Sequence, residues 1–302
     1  MTDVAAVVIN RNTREMLRAC LESLLAQDFE GELELWVVDN GSIDGSQGMV
    51  LEEFPGVNLV WNDDNRGYAK ACNDGLRVTR APYVILMNSD TVLSVDTVSV
   101  VAGHLDSHPG CAAAGPRLLN ADGTLQLSCR EFPTMGEAFA HAFVGLFRPG
   151  NRYSAKYKKA AWDHAAGSEV DWVSGAFMAL RRGPVEAVGG FDEGYFMYVE
   201  DVDICWRLRD AGKTVDYIAG GDVVHHVAQS SRMASTRMAL QHHLSMLRFQ
   251  RKTYRGPCKP AVDAAVALGV AARFGLIVAL NAFYRARAAF GGRLKVIMPG
   301  RQ

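Results

Sequence analysis

The sequence predicts an α/β fold built around a mostly parallel β-sheet, and two observations lead to this prediction. Four short apolar runs without polar alternation recur early in the chain, as expected for strands that are buried on both faces. They are Val4–Ile9, Leu33–Val38, Val57–Trp61 and Tyr83–Met87. The stretches between them have helical character, and a strand–helix–strand order implies right-handed crossovers between parallel strands.

Three helices are predicted between these strands. The first covers Thr13–Gln27, where apolar side chains recur at helical spacing and Thr13 is a plausible N-cap. The other two are Ser46–Phe54 and Tyr68–Thr79. In sheets of this kind ligands bind beyond the carboxyl ends of the strands, so the polar residues that follow each strand are the candidates for function.

The pattern changes after about residue 115. Gly, Ser and aromatic residues are interspersed through residues 116–171, and a shorter strand is predicted over Trp172–Leu180. The chain closes with a basic helical segment, Ser235–Tyr254, and an Ala-rich segment, Ala261–Phe290.

Composition limits the partners and the compartment. The 302 residues include 32 Lys plus Arg against 33 Asp plus Glu, and this balance argues against nucleic acid as a partner. The six cysteines form no C-x-x-C pair, so we expect reduced thiols in the cytoplasm and neither a zinc site nor a disulfide framework. No basic region precedes a long apolar core at the N-terminus, so no secretory signal is expected.

Two acidic turns follow predicted strands. Asp39 comes after the second strand, just before a glycine turn, where a carboxylate can accept a hydrogen bond from a base or ribose. Asn88-Ser89-Asp90 follows the fourth strand, and Asp90 can hold Mg²⁺ or Mn²⁺ through oxygen while the metal bridges two phosphates. Each sequence is also ordinary turn chemistry. Their place at the same edge of one sheet favours the functional interpretation.

A third acidic segment lies among aromatic residues. Glu200-Asp201-Val202-Asp203 follows Tyr195–Tyr198, and Arg207 and Arg209 come shortly afterwards. A helix beginning near Glu200 would place the acids in its first turn, where the helix dipole favours negative charge. The functional alternative is a carboxylate held among aromatic side chains, where partial desolvation makes it a better general base.

Six segments in order resemble the family 2 inverting glycosyltransferases, especially the rhamnosyltransferase-like branch. They are VVINRNTRE at 7–15, WVVDNGSIDG at 36–45, NRGYAKACNDG at 65–75, LMNSD at 86–90, WVSGAFM at 172–178 and GGFDEGYFMYVEDVDICWRLRDAG at 189–212. The resemblance covers roughly residues 4–255 and implies a GT-A type fold, with a Rossmann-like sheet continuous with a smaller mixed one. The implied domains are a catalytic domain at 1–232, divided into a nucleotide-binding half at 1–115 and an acceptor half at 116–232, and a C-terminal helical region at 233–302.

The resemblance also implies residue roles. Asp201 falls where the family has its catalytic base, and Glu200 beside it is placed to orient the acceptor or donor sugar. Asp90 is similar to the last acid of the family's metal motif, and His225 matches a histidine that approaches the metal. Asp39 looks like the residue that reads the uracil or thymine edge. The other implied contacts are to the nucleotide sugar, from Asn10, Arg11, Asn65, Gly67, Asn73, Asn88 and Ser89, and to the acceptor, from Trp172, Gly175 and Trp206.

Three departures from the family pattern bear on these roles. The motif Asn88-Ser89-Asp90 has one carboxylate fewer than Asp-x-Asp relatives, so substrate phosphates would supply part of the metal coordination. Arg11 stands where the family often has Tyr, which affects packing against the donor base. Val227-Ala228 replace the Gly-Gly that commonly follows the histidine, and the alternative for His225 is a residue that is merely packed.

The resemblance implies a metal-dependent transfer of one sugar, with dTDP-rhamnose as the expected donor among dTDP- and UDP-linked sugars. The acceptor it implies is a hydroxyl of a cell-surface or lipid-linked glycan. The usual dinucleotide oxidoreductase is excluded because the chain has no G-x-G sequence. A processive polysaccharide synthase is disfavoured because there is no Gln-x-x-Arg-Trp. Two alternatives stay open, a sugar nucleotidyltransferase and a non-catalytic protein that binds nucleotide sugars.

The C-terminal apolar segment has two interpretations. Ala261–Phe283 is interrupted by Asp263 and Arg273, so it lacks the uninterrupted apolar run of a membrane span. Basic residues precede it, so it would lie on the anionic inner face of the plasma membrane near a lipid-linked acceptor. The alternative is a pair of helices that cover the core or form a homodimer interface.

Overall fold

The computed structural model describes residues 3–132, Glu137, 162–226 and 236–289. The chain divides into two compact units, one of Met1–Phe132 with Lys158–Ser231 and one of Pro133–Tyr157 with Arg232–Gln302. All the strands of the described residues belong to the first unit, and the second contains two long helices.

An eight-stranded sheet forms the centre of the first unit. Its strands are β1 (Val4–Asn10), β2 (Leu33–Asn40), β3 (Asn58–Asn62), β4 (Tyr83–Asn88), β6 (Cys111–Gly115), β10 (Ser168–Val170), β12 (Phe177–Arg181) and β13 (Thr214–Tyr217). They lie in the order β10-β13-β6-β12-β4-β1-β2-β3. The strands from β4 to β3 are parallel, as predicted, and the antiparallel pairing of β12 with both β4 and β6 makes the other half mixed.

Two smaller sheets lie beside the central one. The strands β5 (Thr91–Leu93), β14 (Val223–His225), β7 (Leu118–Leu119) and β8 (Leu125–Gln126) form a four-stranded sheet in that order. The strands β9 (Cys129–Arg130) and β11 (Trp172–Val173) form an antiparallel pair. The arrangement confirms the predicted fold class, a Rossmann-like sheet accompanied by a smaller mixed one.

The helices of the first unit cover the sheet through apolar faces. They are α1 (Arg14–Leu25), α2 (Ser46–Glu53), α3 (Tyr68–Val78), α4 (Thr97–Ser107), α5 (Arg182–Ala187) and α6 (Glu200–Asp210). In α1 the buried residues Leu17, Leu21 and Leu24 recur at helical spacing and join the hydrophobic core with strand residues such as Val8. The first three helices confirm the predicted ones, and every end lies within two residues of its predicted position.

Two local predictions are wrong, and a third holds only in part. The third strand is not buried on both faces, because β3 lies at the edge of the sheet and Trp61 is 61% exposed. The single strand predicted over Trp172–Leu180 is two strands, β11 and β12, separated by a turn at Ser174–Ala176. Thr13 is the N-cap residue of α1, as predicted, but its hydroxyl group makes no capping hydrogen bond and bonds instead to side chains at the ends of β1 and β4.

The second unit contains α7 (Thr236–Thr253) and α8 (Lys259–Ala289), which pack against each other. Both charges that interrupt the apolar segment of α8 contact α7. Gln250 Nε2 donates to Asp263 Oδ1 at 3.2 Å, and Arg273 Nη1 lies 2.7 Å from His243 Nε2. By length and composition Lys259–Ala279 is apolar enough to cross a membrane, and none of this stretch is buried. Asp263 and Arg273 therefore do not by themselves exclude a membrane span.

Candidate active site

The carboxyl ends of β1, β2 and β4 bring the first predicted site residues together. In the parallel register Asn10 lies opposite Asp39, and Ile9 lies opposite Asn88. The backbone N–H of Ser89 donates to the carbonyl of Ile9 at 3.2 Å, which holds the start of the metal motif against β1.

Asp39 is fully buried, and each of its carboxylate oxygens has a protein donor. Asn10 Nδ2 donates to Oδ2 at 2.7 Å, while the Ser42 backbone N–H and Gln47 Nε2 donate to Oδ1 at 2.9 and 2.6 Å. These bonds fix the turn that follows β2. A contact from Asp39 to a nucleotide base would use the remaining lone pair of Oδ2, and this role stays a prediction.

Polar side chains at the ends of β1 and β4 form one network. Asn10 is fully buried, and its Oδ1 accepts from the hydroxyl of Thr13 at 2.8 Å. The Thr13 hydroxyl lies 2.6 Å from that of Ser89, which is also buried. Arg11 points out of this network and is exposed, and Asn88 is partly exposed. Of this group, Arg11, Thr13 and Asn88 are the residues with surface available to a ligand.

The loop before α3 packs against the segment that leads to α6. Asn65 Oδ1 accepts from Asn40 Nδ2 and from the Gly67 backbone N–H, at 3.0 and 3.1 Å. Gly67 has φ of +90°, and a Cβ there would lie 2.6 Å from the carbonyl oxygen of Phe196. The next residue, Tyr68, donates its backbone N–H to that same oxygen at 2.8 Å. Only glycine permits this approach.

Asn73 links α3 to the turn at residues 189–193 through hydrogen bonds. Its amide donates to the carbonyl of Phe191 and accepts from the backbone N–H of Phe191, both at 2.9 Å. The side chain is buried, and Arg77 strengthens the junction through Glu193 at 2.6 Å. These contacts give Asn73 a positioning role, and its predicted contact with the nucleotide stays a prediction.

A strained backbone presents the acidic segment. Tyr198 and Val199 have φ of +70° and +71°, in the left-handed region that non-glycine residues seldom adopt and β-branched residues adopt least. Strain of this kind costs on the order of 1–3 kcal/mol per residue and persists where the surrounding structure holds it in place, often at active sites. The helix α6 begins directly after it, at Glu200. No glycine in the sequence signals this turn.

Glu200 and Asp201 form a desolvated carboxyl pair at the start of α6. Glu200 is 7% exposed, and its Oε2 has no hydrogen-bond partner among the residues that the structure describes. Burial, and then the neighbouring charge of Asp201, raises the pKa of Glu200 to about 8. Desolvation also raises the pKa of Asp201, although the backbone N–H groups of Gly175 and Val202 donate to its carboxylate at 2.9 and 2.8 Å. The pair therefore holds one proton near neutral pH and retains one base.

Asp203, two residues further along α6, differs because its carboxylate has hydrogen-bond donors from side chains. It is fully buried and accepts from Arg207 Nε at 2.7 Å and from the Tyr195 hydroxyl at 3.2 Å. The sequence left open whether these acids stabilise the start of a helix or act as a general base. The first turn of α6 contains acids of both kinds. Asp203 stabilises the helix and its neighbours, whereas Glu200 and Asp201 have the properties of reactive groups.

The predicted acceptor residues differ in how directly the structure links them to the pair of Glu200 and Asp201. Gly175 contacts Asp201 directly, and a Cβ there would lie 3.3 Å from the Asp201 Cβ. Trp172 is buried with the guanidinium of Arg130 5.1 Å from the centre of its ring, and Trp206 is partly exposed on α6. Sequence reasoning missed Tyr68, whose hydroxyl donates to the carbonyl of Gly175 at 2.7 Å and so supports the turn that contacts Asp201.

Asp90 and His225 are brought together by the four-stranded sheet. The antiparallel pairing of β5 with β14 sets His225 opposite Thr91, and the His226 backbone N–H donates to the carbonyl of Asp90 at 2.8 Å. As a result His225 Nε2 lies 3.2 Å from Asp90 Oδ1. One nitrogen and one carboxylate oxygen at this separation suit adjacent positions on an octahedral ion, which are about 3 Å apart at the ligand distances of Mg²⁺. These residues fit a divalent cation.

A second group with metal-ligand chemistry lies on α4, β6 and β13, in the mixed half of the central sheet. His104, Cys111 and Asp216 have donor atoms within 4.8 Å of one another. His104 Nε2 and Asp216 Oδ2 are 2.8 Å apart, and this contact lowers the pKa of Asp216 against the effect of burial. A partly buried His–Asp pair that ties α4 to β13 accounts for the arrangement.

Comparison with known proteins agrees with the geometry. Residues 5–189 match the model of the family described as Glycosyl transferase family 2. Over 268 residues the chain is 30% identical to the N-acetylglucosaminyl-diphospho-decaprenol L-rhamnosyltransferase of Mycobacterium tuberculosis, covering 85% of this chain and 87% of that protein. Over 255 residues it is 22% identical to the rhamnosyltransferase WbbL of Escherichia coli K12, covering 82% of this chain and 92% of that protein.

Solved structures show the same fold at lower identity. The mannosyltransferase PcManGT from Pyrobaculum calidifontis, in complex with GDP-Man and Mn²⁺, superposes with a TM-score of 0.57 at 20% identity, covering 95% of this chain and 79% of that one. Staphylococcus aureus TarS superposes with a TM-score of 0.57 at 14% identity, covering 90% of this chain and 43% of that one. These likenesses confirm the GT-A type fold. With the family match over more than half of its length, the chain belongs to glycosyl transferase family 2, in its rhamnosyltransferase-like branch.

Proposed function

We propose that this glycosyltransferase inverts the anomeric centre as it moves one sugar from a nucleotide diphosphate to an acceptor hydroxyl, with Asp201 as general base. The observation that carries the proposal is the desolvated pair of Glu200 and Asp201 at the start of α6. Desolvation without full pairing keeps a carboxylate basic, which is what removal of a hydroxyl proton requires.

The proposed reaction is a single displacement. One Asp201 oxygen takes the proton of the acceptor hydroxyl while the acceptor oxygen forms a bond to the anomeric carbon. The bond from that carbon to the diphosphate oxygen breaks, and its electron pair leaves with the nucleotide diphosphate. One displacement gives one inversion, through an oxocarbenium-like transition state. The Gly175 N–H and the Val202 N–H hold the Asp201 carboxylate in a fixed orientation for this step.

Glu200 has a different part in the proposal. Because its pKa is raised to about 8, its carboxyl group is protonated at neutral pH and is a hydrogen-bond donor. The hydroxyl groups of the acceptor or donor sugar are suitable partners for its Oε2. We assign Glu200 to orientation of a sugar and Asp201 to proton transfer.

Asp90 and His225 would hold Mg²⁺ or Mn²⁺, with the 3.2 Å separation of their ligand atoms as support. When bound, such an ion neutralises the charge that grows on the departing diphosphate. Mn²⁺ accompanies GDP-Man in the structure of the Pyrobaculum relative. The nucleotide would lie over the carboxyl ends of β1, β2 and β4, where Arg11 is exposed.

The identity of the donor and acceptor comes from the relatives. Two of them are named as rhamnosyltransferases, which supports L-rhamnose from dTDP-rhamnose as the sugar that is moved. The Mycobacterium tuberculosis relative is named for a diphospho-decaprenol-linked N-acetylglucosamine acceptor. We propose a lipid-linked glycan acceptor of this chemical class here, within a pathway that builds a cell-surface polysaccharide.

Donor hydrolysis tests the central proposal. The protein is incubated with dTDP-rhamnose, UDP-glucose, UDP-galactose, UDP-GlcNAc and GDP-mannose, with Mg²⁺ or Mn²⁺ and with chelator. Slow metal-dependent release of one nucleotide diphosphate, lost in Asp90→Ala, is the expected result and identifies the donor. If no donor is hydrolysed, calorimetric binding of the same panel follows. Absence of binding would show that the proposed substrate class is wrong.

We also propose that α8 contacts the membrane that carries a lipid-linked acceptor, on its cytoplasmic side. The exposed apolar stretch Lys259–Ala279 and the basic last turn of α7 support this. Co-sedimentation with anionic vesicles is the test. Leu268→Glu, at a site 72% exposed, should reduce sedimentation, while Leu51→Glu, at a 60% exposed site on α2, should not. If Leu268→Glu instead dissociates a dimer in light scattering, α8 forms the homodimer interface.

A further inference from the structure

A chain of directed hydrogen bonds runs through the hairpin of β7 and β8 toward the proposed cation site. It begins at Asp122, whose carboxylate accepts hydrogen bonds and cannot donate them when ionised. The hydroxyl of Thr124 donates to Asp122 Oδ1 at 2.6 Å, and this bond lowers the pKa of Asp122 and keeps it ionised. The Thr124 oxygen has then used its proton, so it accepts from Asn120 Nδ2 at 2.9 Å.

The direction of each following bond is fixed by the one before. Asn120 has turned its amide nitrogen toward Thr124, so its Oδ1 faces Gln126 and accepts from Gln126 Nε2 at 3.0 Å. Gln126 therefore presents its carbonyl oxygen, Oε1, to Nδ1 of His225 at 2.8 Å. An amide has one donor end and one acceptor end, so neither side chain can reverse without breaking two bonds.

The chain determines which nitrogen of His225 carries the proton. Oε1 of Gln126 can only accept, so Nδ1 of His225 must donate, and the neutral imidazole keeps a lone pair at Nε2. That lone pair faces Asp90 Oδ1 at 3.2 Å. In this tautomer both atoms present lone pairs, so a divalent cation could be bound by the two together.

We propose that Gln126 is a positioning residue of the cation site, which holds His225 in the tautomer whose Nε2 binds a divalent cation together with Asp90. The inference rests on the proposed function, because it assigns the cation to these two ligands. Without the acceptor at Nδ1, the other tautomer of His225 would donate from Nε2 to Asp90 and form a neutral pair that competes with the cation. Partners of this kind commonly change metal affinity by about 10–100-fold.

Binding of Mn²⁺ alone to the full chain, followed by calorimetry and by the electron spin resonance of free Mn²⁺, tests the inference. Gln126→Leu should weaken Mn²⁺ binding by about 10–100-fold. Gln126→Glu retains an acceptor toward His225 but loses the donor to Asn120 Oδ1, so it should weaken Mn²⁺ binding less than Gln126→Leu does. Gln27→Leu is a matched control, because Gln27 makes three hydrogen bonds between α1 and the start of α4 and lies outside the site.

The tautomer of His225 can be measured directly, and a general loss of stability would not change it. In long-range ¹H–¹⁵N spectra of histidine-labelled protein, His225 is assigned by the signal that disappears in His225→Asn. Its signal should show the Nδ1–H form in the wild type and Gln27→Leu, and the Nε2–H form in Gln126→Leu.

Equal Mn²⁺ affinity in the wild type and Gln126→Leu would overturn the inference and leave the cation site intact. An Nε2–H form of His225 in the wild-type protein would overturn it in the same way. A wild-type protein that binds no Mn²⁺, alone or with a nucleotide diphosphate, would refute the proposed cation site and this inference with it.

Discussion

Two regions of the molecule bury carboxylates beside the same sheet edge, but they differ in the hydrogen-bond donors that they supply to them. After β2, the fully buried Asp39 receives three hydrogen bonds, from Asn10, Ser42 and Gln47. At the start of α6, Glu200 is almost as buried, yet its Oε2 has no hydrogen-bond partner among the described residues. Burial alone therefore does not distinguish the two regions, and the supply of donors does.

The difference has a direct electrostatic consequence. Donors that surround a carboxylate stabilise its charged form and offset the cost of leaving water, whereas desolvation without donors raises the pKa. The region after β2 is thus a rigid support for the strand ends. The start of α6 keeps a proton and a base in a strained turn, at Tyr198 and Val199. Asp203 shows that the contrast also holds within one helix, because Arg207 pairs with it.

Asp201→Asn is the largest test of this comparison. The substitution should lower the turnover of donor and acceptor by about 10²–10⁴-fold, which is the usual effect of general-base catalysis. Two effects on stability oppose each other, because a desolvated charge is removed while the Gly175 N–H or the Val202 N–H then faces an NH₂ group. Turnover assays and thermal unfolding of the same preparation measure activity and stability.

Asp203→Asn provides the matched control within α6. It leaves the guanidinium of Arg207 without its carboxylate partner, and breaking a buried pair in this way costs about 3–5 kcal/mol. It should therefore lower the unfolding temperature strongly. If Asp201→Asn retained near-normal turnover, the assignment of the base would be wrong.

The pH dependence of stability is the second test, through Glu200→Gln. Burial raises the pKa of Glu200 from 4.5 to about 8, so the folded protein holds a proton that the unfolded chain releases. Folding stability from this group is therefore fully present below pH 4.5 and is lost as the pH rises to about 8. Relative to Glu200→Gln, the wild type should lose on the order of a few kcal/mol over this interval.

Urea unfolding of both proteins at pH values across this range measures the difference. The wild type and the variant should unfold with similar free energy at acid pH and diverge as the pH rises, with the variant more stable. A difference between the two proteins that does not change with pH would mean that Glu200 titrates normally, and the contrast with Asp39 would lose its electrostatic basis.

Much of the fold could be predicted because periodicity and strand order are local properties of the sequence. The parallel half of the sheet and helices α1 to α3 follow from apolar spacing. The edge position of β3 could not be predicted, because strand order depends on long-range pairing. Trp61 is apolar and was expected inside, whereas it is exposed at the sheet edge.

Sequence motifs predicted the acids and the histidine of the candidate site, but not the residues that hold them in position. The positions of Asp90, His225, Glu200 and Asp201 came from motifs, and the structure brings them into two pairs. Gln126 and Tyr68 escaped notice because each acts through a residue that is distant in sequence, His225 for Gln126 and Gly175 for Tyr68. Whether an Asp is satisfied or desolvated also depends on such partners, which a motif does not contain.

Asp39→Asn gives the smallest expected effect and tests the other side of the comparison. The shape of the side chain is retained, but one acceptor oxygen becomes an NH₂ group that faces a donor, either Asn10 Nδ2 or Gln47 Nε2. An unsatisfied buried group of this kind costs about 1–3 kcal/mol, so the free energy of unfolding in urea should fall by that amount. The same chemical change at Asp201 should cost less stability, because it also removes a charge that desolvation disfavours, as the raised pKa of Asp201 indicates. If Asp39→Asn were as stable as the wild type, the three donors would not be stabilising the carboxylate, and Asp39 would be available to bind a nucleotide base.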